Sequence, residues 1–287
     1  MADRIEVLKT YKTYVGGKFP RSESDRTFKV ENSSGKHIAN SCRCTRKDVR
    51  DAVVTARAAF SGWQSRSAYN RGQILYRIAE MLEGRKDQFI KELELLGIKN
   101  KNAARDIELS VDRLVYFAGW TDKYSQVYGT INPVASSHFN FSMPEPTGVV
   151  GINSSDDISL LSLVSVISPV IAGGNTCVVL ASEKNPLSAI SFGEVMHGSD
   201  VPGGVVNILT GYKNEMLEHV GSHKDINAVL NTSGNSEIKK LLDENASISV
   251  KRVVHYHVDD WQNSKHENPY TILDFQETKT TWHPVGM

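Results

Sequence analysis

The thiols that could act as nucleophiles belong to Cys42, Cys44 and Cys177. A catalytic thiol needs an electropositive, partly exposed setting that lowers its pKa. Cys177 lies in an apolar run typical of a buried strand, where a thiol usually behaves as a small hydrophobic group. Arg43 is the one cation placed directly beside the other two thiols. We therefore predict that all three cysteines are structural and that the chain has no catalytic residues.

A group of imidazoles and carboxylates near the end of the chain has the residue types of a metal site. In an extended strand, alternation places His255, His257 and Asp259 on one face. His266 could join them from a loop. Such spacing specifies zinc only loosely, and a solvated strand face is the commoner explanation of two such histidines. We therefore predict no metal site.

The composition excludes several classes of partner. The chain has 33 basic and 33 acidic residues, so no long-range field attracts nucleic acid or an anionic membrane. A small, odd number of cysteines argues against a disulfide framework and favours a reducing compartment. Residues 1–10 contain no secretory apolar core, and residues 158–172 are too short and too interrupted to span a bilayer. We expect a cytoplasmic protein with no nucleic-acid and no membrane partner.

The apolar pattern changes after Pro146. Before it, Thr45 and Asp48 predict the capped start of a helix, and helical periodicity continues to about residue 128. Residues 131–141 alternate in a way that predicts two short strands. After it, continuous apolar strands alternate with helices, which predicts an α/β fold with a parallel sheet covered on both faces. The predicted parts are an N-terminal helical part (1–128), a hairpin (129–145), the parallel sheet (146–260), and a linker with a last strand (261–287).

Several motifs, in their order along the chain, resemble the aldehyde dehydrogenase superfamily. They include Tyr14-Val15-Gly16-Gly17, Pro146-Thr147-Gly148-Val149-Val150-Gly151, Ala172-Gly173-Gly174-Asn175-Thr176 and, as the most specific, residues 201–211. The resemblance implies a Rossmann-type parallel sheet domain with N-terminal helices and a small β oligomerisation element. Within the superfamily, the chain is most similar to the degenerate, non-catalytic C-terminal half of the family 16 aldehyde dehydrogenases.

The sequence departs from the family where the family carries its catalytic groups. Asp157 stands where the family has an asparagine whose amide stabilises an oxyanion, and a carboxylate would oppose that negative charge. Neither the segment with the general base nor the motif with the nucleophilic cysteine is recognisable. Residues 272–282 instead resemble the last strand of the family, which completes the oligomerisation sheet. The resemblance therefore implies that the catalytic domain is absent and that the oligomerisation element is kept.

The cofactor positions that the resemblance implies are only partly kept. Glu183 occupies the place of a glutamate that holds the adenosine ribose, but Leu180 replaces the lysine of the same motif. The motif under the pyrophosphate is altered to Thr232-Ser233-Gly234. Because a charge-assisted contact is lost, we expect no bound cofactor, with NAD or NADP as the alternative. The residual cofactor-binding candidates are Ser182, Glu183, Gly211 and Gly234.

The resemblance leaves functions of different classes open. We predict a non-catalytic scaffold or regulatory subunit that pairs through the dimer surface of the family, as a homodimer or with a full-length aldehyde dehydrogenase. The apolar segment with Tyr270, Ile272, Phe275 and Trp282 would need a partner edge if it were left uncovered, which would favour pairing. The alternative is that this segment packs back on its own domain. The alternatives are an NAD(P)-binding sensor and a component of an aldehyde oxidoreductase whose active site a partner chain completes.

Overall fold

The computed structural model describes residues 7–286. Residues 1–6 and Met287 lie outside the described residues, and with them most of the segment in which no secretory signal is predicted. The described chain begins with a small sheet of order β1-β3-β2, followed by a group of helices. The bounds are β1 (Thr10–Tyr11), β2 (Thr27–Glu31), β3 (His37–Cys42), α1 (Arg46–Gln64), α2 (Ala68–Gly84), α3 (Lys86–Leu95), α4 (Asn100–Trp120) and α5 (Tyr124–Tyr128).

A five-stranded parallel sheet forms the centre of the molecule, as predicted. Its order is β10-β9-β6-β7-β8, so the chain reverses its direction of travel across the sheet at β6. All residues of β6 to β9 are buried, because helices cover both faces. The bounds are β6 (Val149–Asn153), α6 (Leu160–Ala172), β7 (Thr176–Leu180), α7 (Pro186–His197), β8 (Val206–Leu209), α8 (Leu217–Ser222), β9 (Ala228–Asn231), α9 (Ser236–Ser247) and β10 (Arg252–His255).

The predicted capped start of α1 is confirmed. The Thr45 backbone N–H donates to Asp48 Oδ2 at 2.7 Å, and the Thr45 hydroxyl accepts from the Lys47 N–H at 3.3 Å. These bonds satisfy backbone donors that a helix start otherwise leaves free. The helix then buries one apolar stripe, which includes Val49, Val53 and Ala56, against the parallel sheet.

A second, antiparallel sheet has the order β11-β5-β4 and shares no strand with the parallel sheet. Its strands are β4 (Thr130–Asn132), β5 (His138–Pro146) and β11 (Gln276–Pro284), and the short helix α10 (Tyr270–Leu273) precedes the last strand. β11 pairs with β5 along its whole length, from Gln276 opposite Pro146 to Pro284 opposite His138. The predicted strand pair within residues 131–141 is therefore present, and the end of the chain adds a third strand to it.

Two predicted elements are shorter in the structure. A strand is predicted from Val250 to His257, but β10 ends at His255, where its last parallel pairing with β9 occurs. The apolar segment that starts at Tyr270 begins as α10 and becomes extended only at Gln276. Residues 256–275 thus connect β10 of the parallel sheet to β11 of the antiparallel sheet. Among the helices of residues 7–286, none combines the length and apolar character that crossing a membrane requires.

A buried carboxyl group, that of Glu92 on α3, holds three elements together. Its Oε1 accepts hydrogen bonds from Ser191 Oγ at 2.6 Å and Tyr11 Oη at 3.2 Å. Burial raises the pKa of Glu92, and the hydrogen bonds and Lys9 oppose this only partly. The folded chain therefore holds this proton more tightly than the unfolded chain does.

Stability is consequently expected to depend on pH through Glu92. A carboxyl group with a raised pKa contributes fully below the ordinary glutamate pKa, and that contribution is lost as the pH rises through the native pKa. We expect Glu92→Gln to remove the loss of stability that the wild type shows as the pH rises from the ordinary glutamate pKa towards neutrality. Urea unfolding across this range measures it, with Glu94→Gln on the exposed side of α3 as the control. Parallel pH profiles for all three proteins would contradict the assignment.

Candidate functional site

The place at which a ligand is expected is the carboxyl edge of the parallel sheet, where strand order reverses. β7 and β9 flank β6 on its two sides, and ligands of open α/β sheets bind outside the strand ends at such a point. The residues in question follow Asn153, Leu180 and Asn231, the last residues of β6, β7 and β9. Short polar loops follow all three strands, so this edge carries the polar groups that a site needs.

A lysine that the sequence prediction missed dominates this edge. Lys213 lies in a short 3-10 turn after β8, and only 4% of its surface is exposed. Its Nζ donates to the carbonyl oxygen of Ser154 and lies 2.7 Å from Asp156 Oδ1. Burial lowers the pKa of Lys213, whereas the Asp156 carboxylate opposes that change. The ion pair is asymmetric, because the Asp156 side chain is 49% exposed.

Glu183 and Ser182, two of the predicted cofactor-binding residues, lie at the same edge but contact the protein itself. Glu183 Oε1 accepts from the Lys213 backbone N–H at 2.7 Å, and the Glu183 N–H donates to Asp156 Oδ1 at 3.2 Å. Ser182 Oγ accepts from the N–H groups of Lys184 and Asn185, both at 3.2 Å. These side chains therefore stabilise the turn after β7.

The two predicted glycines differ in their surroundings. Gly211 has a φ of +135°, and a Cβ at this position would lie 2.8 Å from the backbone nitrogen of Cys44. Its role in the structure is thus the close packing of two chain segments. Gly234 has nothing within 4 Å of a Cβ position, so the loop before α9 is open. Next to it, Asn235 Oδ1 accepts from the Glu237 N–H at 2.8 Å and the Ile238 N–H at 3.3 Å, which occupies two helix-start donors that a phosphate would use.

A chain of hydrogen bonds crosses three strand ends beside this edge. Asn153 Nδ2 donates to Asn231 Oδ1 at 2.8 Å, and Asn231 Nδ2 lies 3.1 Å from His255 Nδ1. His255 Nε2 lies 2.8 Å from Asp243 Oδ1 on α9. Both ring nitrogens of His255 are therefore engaged. The sequence shows asparagines at strand ends, but only the strand order shows that they touch.

The predicted grouping of His255, His257 and Asp259 on one strand face does not form, because the strand ends at His255. His257 and Asp259 are both exposed, with 3.3 Å between Nε2 and Oδ1. His266 packs against Trp261 with ring centroids 5.3 Å apart. Among residues 7–286, no three histidine, cysteine, aspartate or glutamate side chains are arranged to hold a metal ion.

All three cysteines are buried as free thiols. Burial raises the pKa of each of them, most strongly for Cys44 and Cys177. Arg43, the cation predicted to lie near two of them, is bound by Glu215, with Nε 3.0 Å from Oε2. No thiol therefore has the exposed, electropositive setting of a nucleophile.

Asp157, the residue predicted to oppose an oxyanion, is exposed after β6. Its carboxylate accepts from the Ser155 hydroxyl, and its own N–H donates to Ser155 Oγ at 3.3 Å. With Asp156, it places two carboxylates beyond the end of this strand. Lys213 balances the charge of Asp156, so Asp157 is the carboxylate that makes this strand end unfavourable for an anion.

Comparison with known proteins identifies proteins that are similar to this chain. The sequence model of the aldehyde dehydrogenase family matches residues 19–255. Retinal dehydrogenase 2 of Mus musculus is 34% identical over 253 residues, which cover 86% of this chain and 48% of that protein. Omega-crystallin of Enteroctopus dofleini is 32% identical over 252 residues, which cover 85% of this chain and 50% of that protein.

A similar solved structure is the NAD+ complex of an aldehyde dehydrogenase from Bacillus cereus. It matches with a TM-score of 0.80 and 26% identity, over 86% of this chain and 50% of that one. The chain thus spans about half the length of the curated relatives it matches.

Proposed function

Since the chain belongs to the aldehyde dehydrogenase family, we propose that it is a non-catalytic subunit that pairs with other chains through its antiparallel sheet. The partner is a second copy of this chain or a full-length aldehyde dehydrogenase. In this role the chain acts as a scaffold or regulator and carries out no turnover of its own.

The observation that carries the proposal is the free edge of β11. Nine residues of this strand pair with β5 on one side, and within residues 7–286 no strand pairs with the other side. Such an edge presents a row of backbone donors and acceptors to another chain. Addition of a partner strand would satisfy them.

One face of the same sheet is apolar and uncovered. Ile131 lies opposite Phe141, and because side chains alternate along a strand, Phe139 and Met143 share that face. Ile131 is 74% exposed, while Phe139 and Met143 are each 45% exposed. A contiguous patch of this kind commonly marks a protein interface. Edge and face together provide a surface suited to pairing.

The absence of turnover is supported by the thiols and by the sheet edge. The described cysteines are buried and have raised pKa values, so they lack the thiolate that the chemistry needs. At the sheet edge, Glu183 is bonded to the Lys213 backbone. We propose that the cysteines and Glu183 have structural roles only.

A sensor that binds NAD or NADP is the second candidate function. It is favoured by the open loop at Gly234 and by the survival of Glu183, and a similar aldehyde dehydrogenase was solved as an NAD+ complex. Calorimetric titration of the chain with each dinucleotide tests it. Micromolar binding would favour a sensor or an active site that a partner completes.

Disruption of the apolar face is expected to dissociate the assembly. Ile131→Lys combined with Phe139→Lys places two cations on the face, and we expect the dissociation constant of the pair to rise by about thirtyfold or more. Sedimentation velocity over a concentration series measures the change. Val54→Lys, at an exposed apolar position on α1, is the matched control and should behave as the wild type.

The wild-type chain is expected to sediment as a dimer or larger species, or to join an added full-length aldehyde dehydrogenase. A wild-type chain that remained monomeric at all concentrations and did not associate with that enzyme would overturn the proposal.

A further inference from the structure

We propose that Lys213 fills the nucleotide position of this sheet with its own side chain, so that an adenine dinucleotide cannot bind until the Lys213–Asp156 ion pair opens. The carboxyl edge of the parallel sheet is separate from the pairing surface on the antiparallel sheet. The contacts of three loops at this edge support the proposal, and the groups present there do not fit the dinucleotide.

A contact within the protein occupies the ribose position of this sheet. In dinucleotide-binding sheets, an acidic residue after the second strand accepts hydrogen bonds from the ribose hydroxyls. Glu183 follows β7, the second strand of this sheet in chain order. Its Oε1 already accepts the Lys213 N–H at 2.7 Å, so a ribose hydroxyl would compete with a backbone donor.

The Lys213 side chain extends across the end of a neighbouring strand. β7 lies between β6 and β8 in the sheet, Lys213 follows β8, and its Nζ bonds to Ser154, which follows β6. The side chain therefore crosses above the carboxyl end of β7, next to Glu183. With only 4% of its surface exposed, Lys213 takes up space at the point that a nucleoside would need.

The Asp156 carboxylate stabilises this arrangement. Asp156 Oδ1 receives the Lys213 ammonium at 2.7 Å and the Glu183 N–H at 3.2 Å, so one carboxylate fixes both loops. Opening the pair would strand a buried ammonium without its counter-charge, which is costly. A ligand of modest affinity cannot offset that cost, and the exposed Asp157 adds a further negative charge after β6.

The alternative role for Lys213 is to bind the dinucleotide itself. The lysine that the resemblance places at Leu180 is missing, and Lys213 brings a cation to the same edge from another loop. If Lys213 served as a ligand in its place, its removal would weaken dinucleotide binding. If Lys213 fills the position, its removal strengthens binding, so the two roles predict changes of opposite sign.

The experiment is calorimetric titration of the full chain with NAD and with ADP-ribose. We expect no saturable binding by the wild type at millimolar ligand and at least about tenfold tighter binding by Lys213→Ala. Lys213→Met keeps most of the side-chain volume, so we expect this variant still to bind no dinucleotide. Lys184→Ala, at an exposed lysine of the neighbouring loop, is the control and should match the wild type.

Adding Glu183→Ala to the Lys213→Ala variant should abolish its gain in dinucleotide affinity. That loss would show that the ligand binds at this edge of the sheet. Weaker or unchanged binding by Lys213→Ala, or micromolar binding by the wild type, would overturn the proposal. Reductive methylation of the wild type provides a measurement that needs no variant. Lys213 should be among the slowest lysines to react, and reaction as fast as that of Lys184 would also overturn it.

Discussion

Asp106→Ala is expected to lower the free energy of unfolding by about 3 kcal/mol, because it leaves buried donors at the start of α6 without a partner. Asp106 Oδ2 accepts from the Leu160 N–H at 2.8 Å and the Leu161 N–H at 3.2 Å, and Oδ1 accepts from Ser159 Oγ at 2.6 Å. α6 is buried along its whole length, so water cannot replace the carboxylate there. Urea unfolding at neutral pH measures the loss.

Two further variants separate this capping role from general damage to α4. Asp106→Asn keeps one acceptor oxygen and should lose about half as much stability. Asp112→Ala, at an exposed position of the same helix, should change the stability by less than about 0.5 kcal/mol. A loss below about 1 kcal/mol for Asp106→Ala would show that the carboxylate does not hold the helix start.

Gly203→Ala is expected to lower the free energy of unfolding by about 2 kcal/mol through overpacking. A Cβ at Gly203 would lie 2.4 Å from the carbonyl oxygen of Gly16, and Gly203 Cα lies 3.0 Å from the Cβ position of Gly17. Both neighbours are backbone atoms, so no side chain can rotate away to make room. Thermal and urea unfolding both report the change.

The control for this substitution is a glycine with free space around it. Gly119 lies inside α4 and has nothing within 4 Å of a Cβ position, so Gly119→Ala should raise the stability by about 0.5–1 kcal/mol. Equal effects of the two substitutions would contradict the packing argument, because it requires opposite signs.

The glycine pairs also show how far sequence reasoning reaches. Gly16-Gly17 and Gly203-Gly204 are recognisable as motifs from the sequence, and they identify the family. Their physical role emerges only in the folded chain, where the backbones of the two turns come into contact although Gly17 and Gly203 are 186 positions apart in the sequence. A glycine motif can thus be identified from the sequence before its structural role is known.

The predicted cofactor-binding role of Glu183 and Ser182 stays a prediction, and their contacts became known only from the structure. Glu183 and Ser182 lie at the carboxyl edge of the sheet, where the resemblance places them. Lys213 carried no signal, because a single lysine after a strand resembles any solvated lysine. Asp156 and Asp157 follow β6, and Lys213 follows β8. An ion pair between these segments could have been expected only once the strand order was known.

The sequence by itself determined the features that depend on near neighbours. Continuous apolar runs require strands buried on both faces, Thr45 with Asp48 caps α1, and alternation predicts the small strands near residue 131. Tertiary structure alone decided which distant groups satisfy one another: Asp106 with the start of α6, Lys213 with Asp156, and Asn153 with Asn231 and His255. The reason is that periodicity and capping act within a few residues, whereas a buried polar group takes whichever partner the packing brings to it.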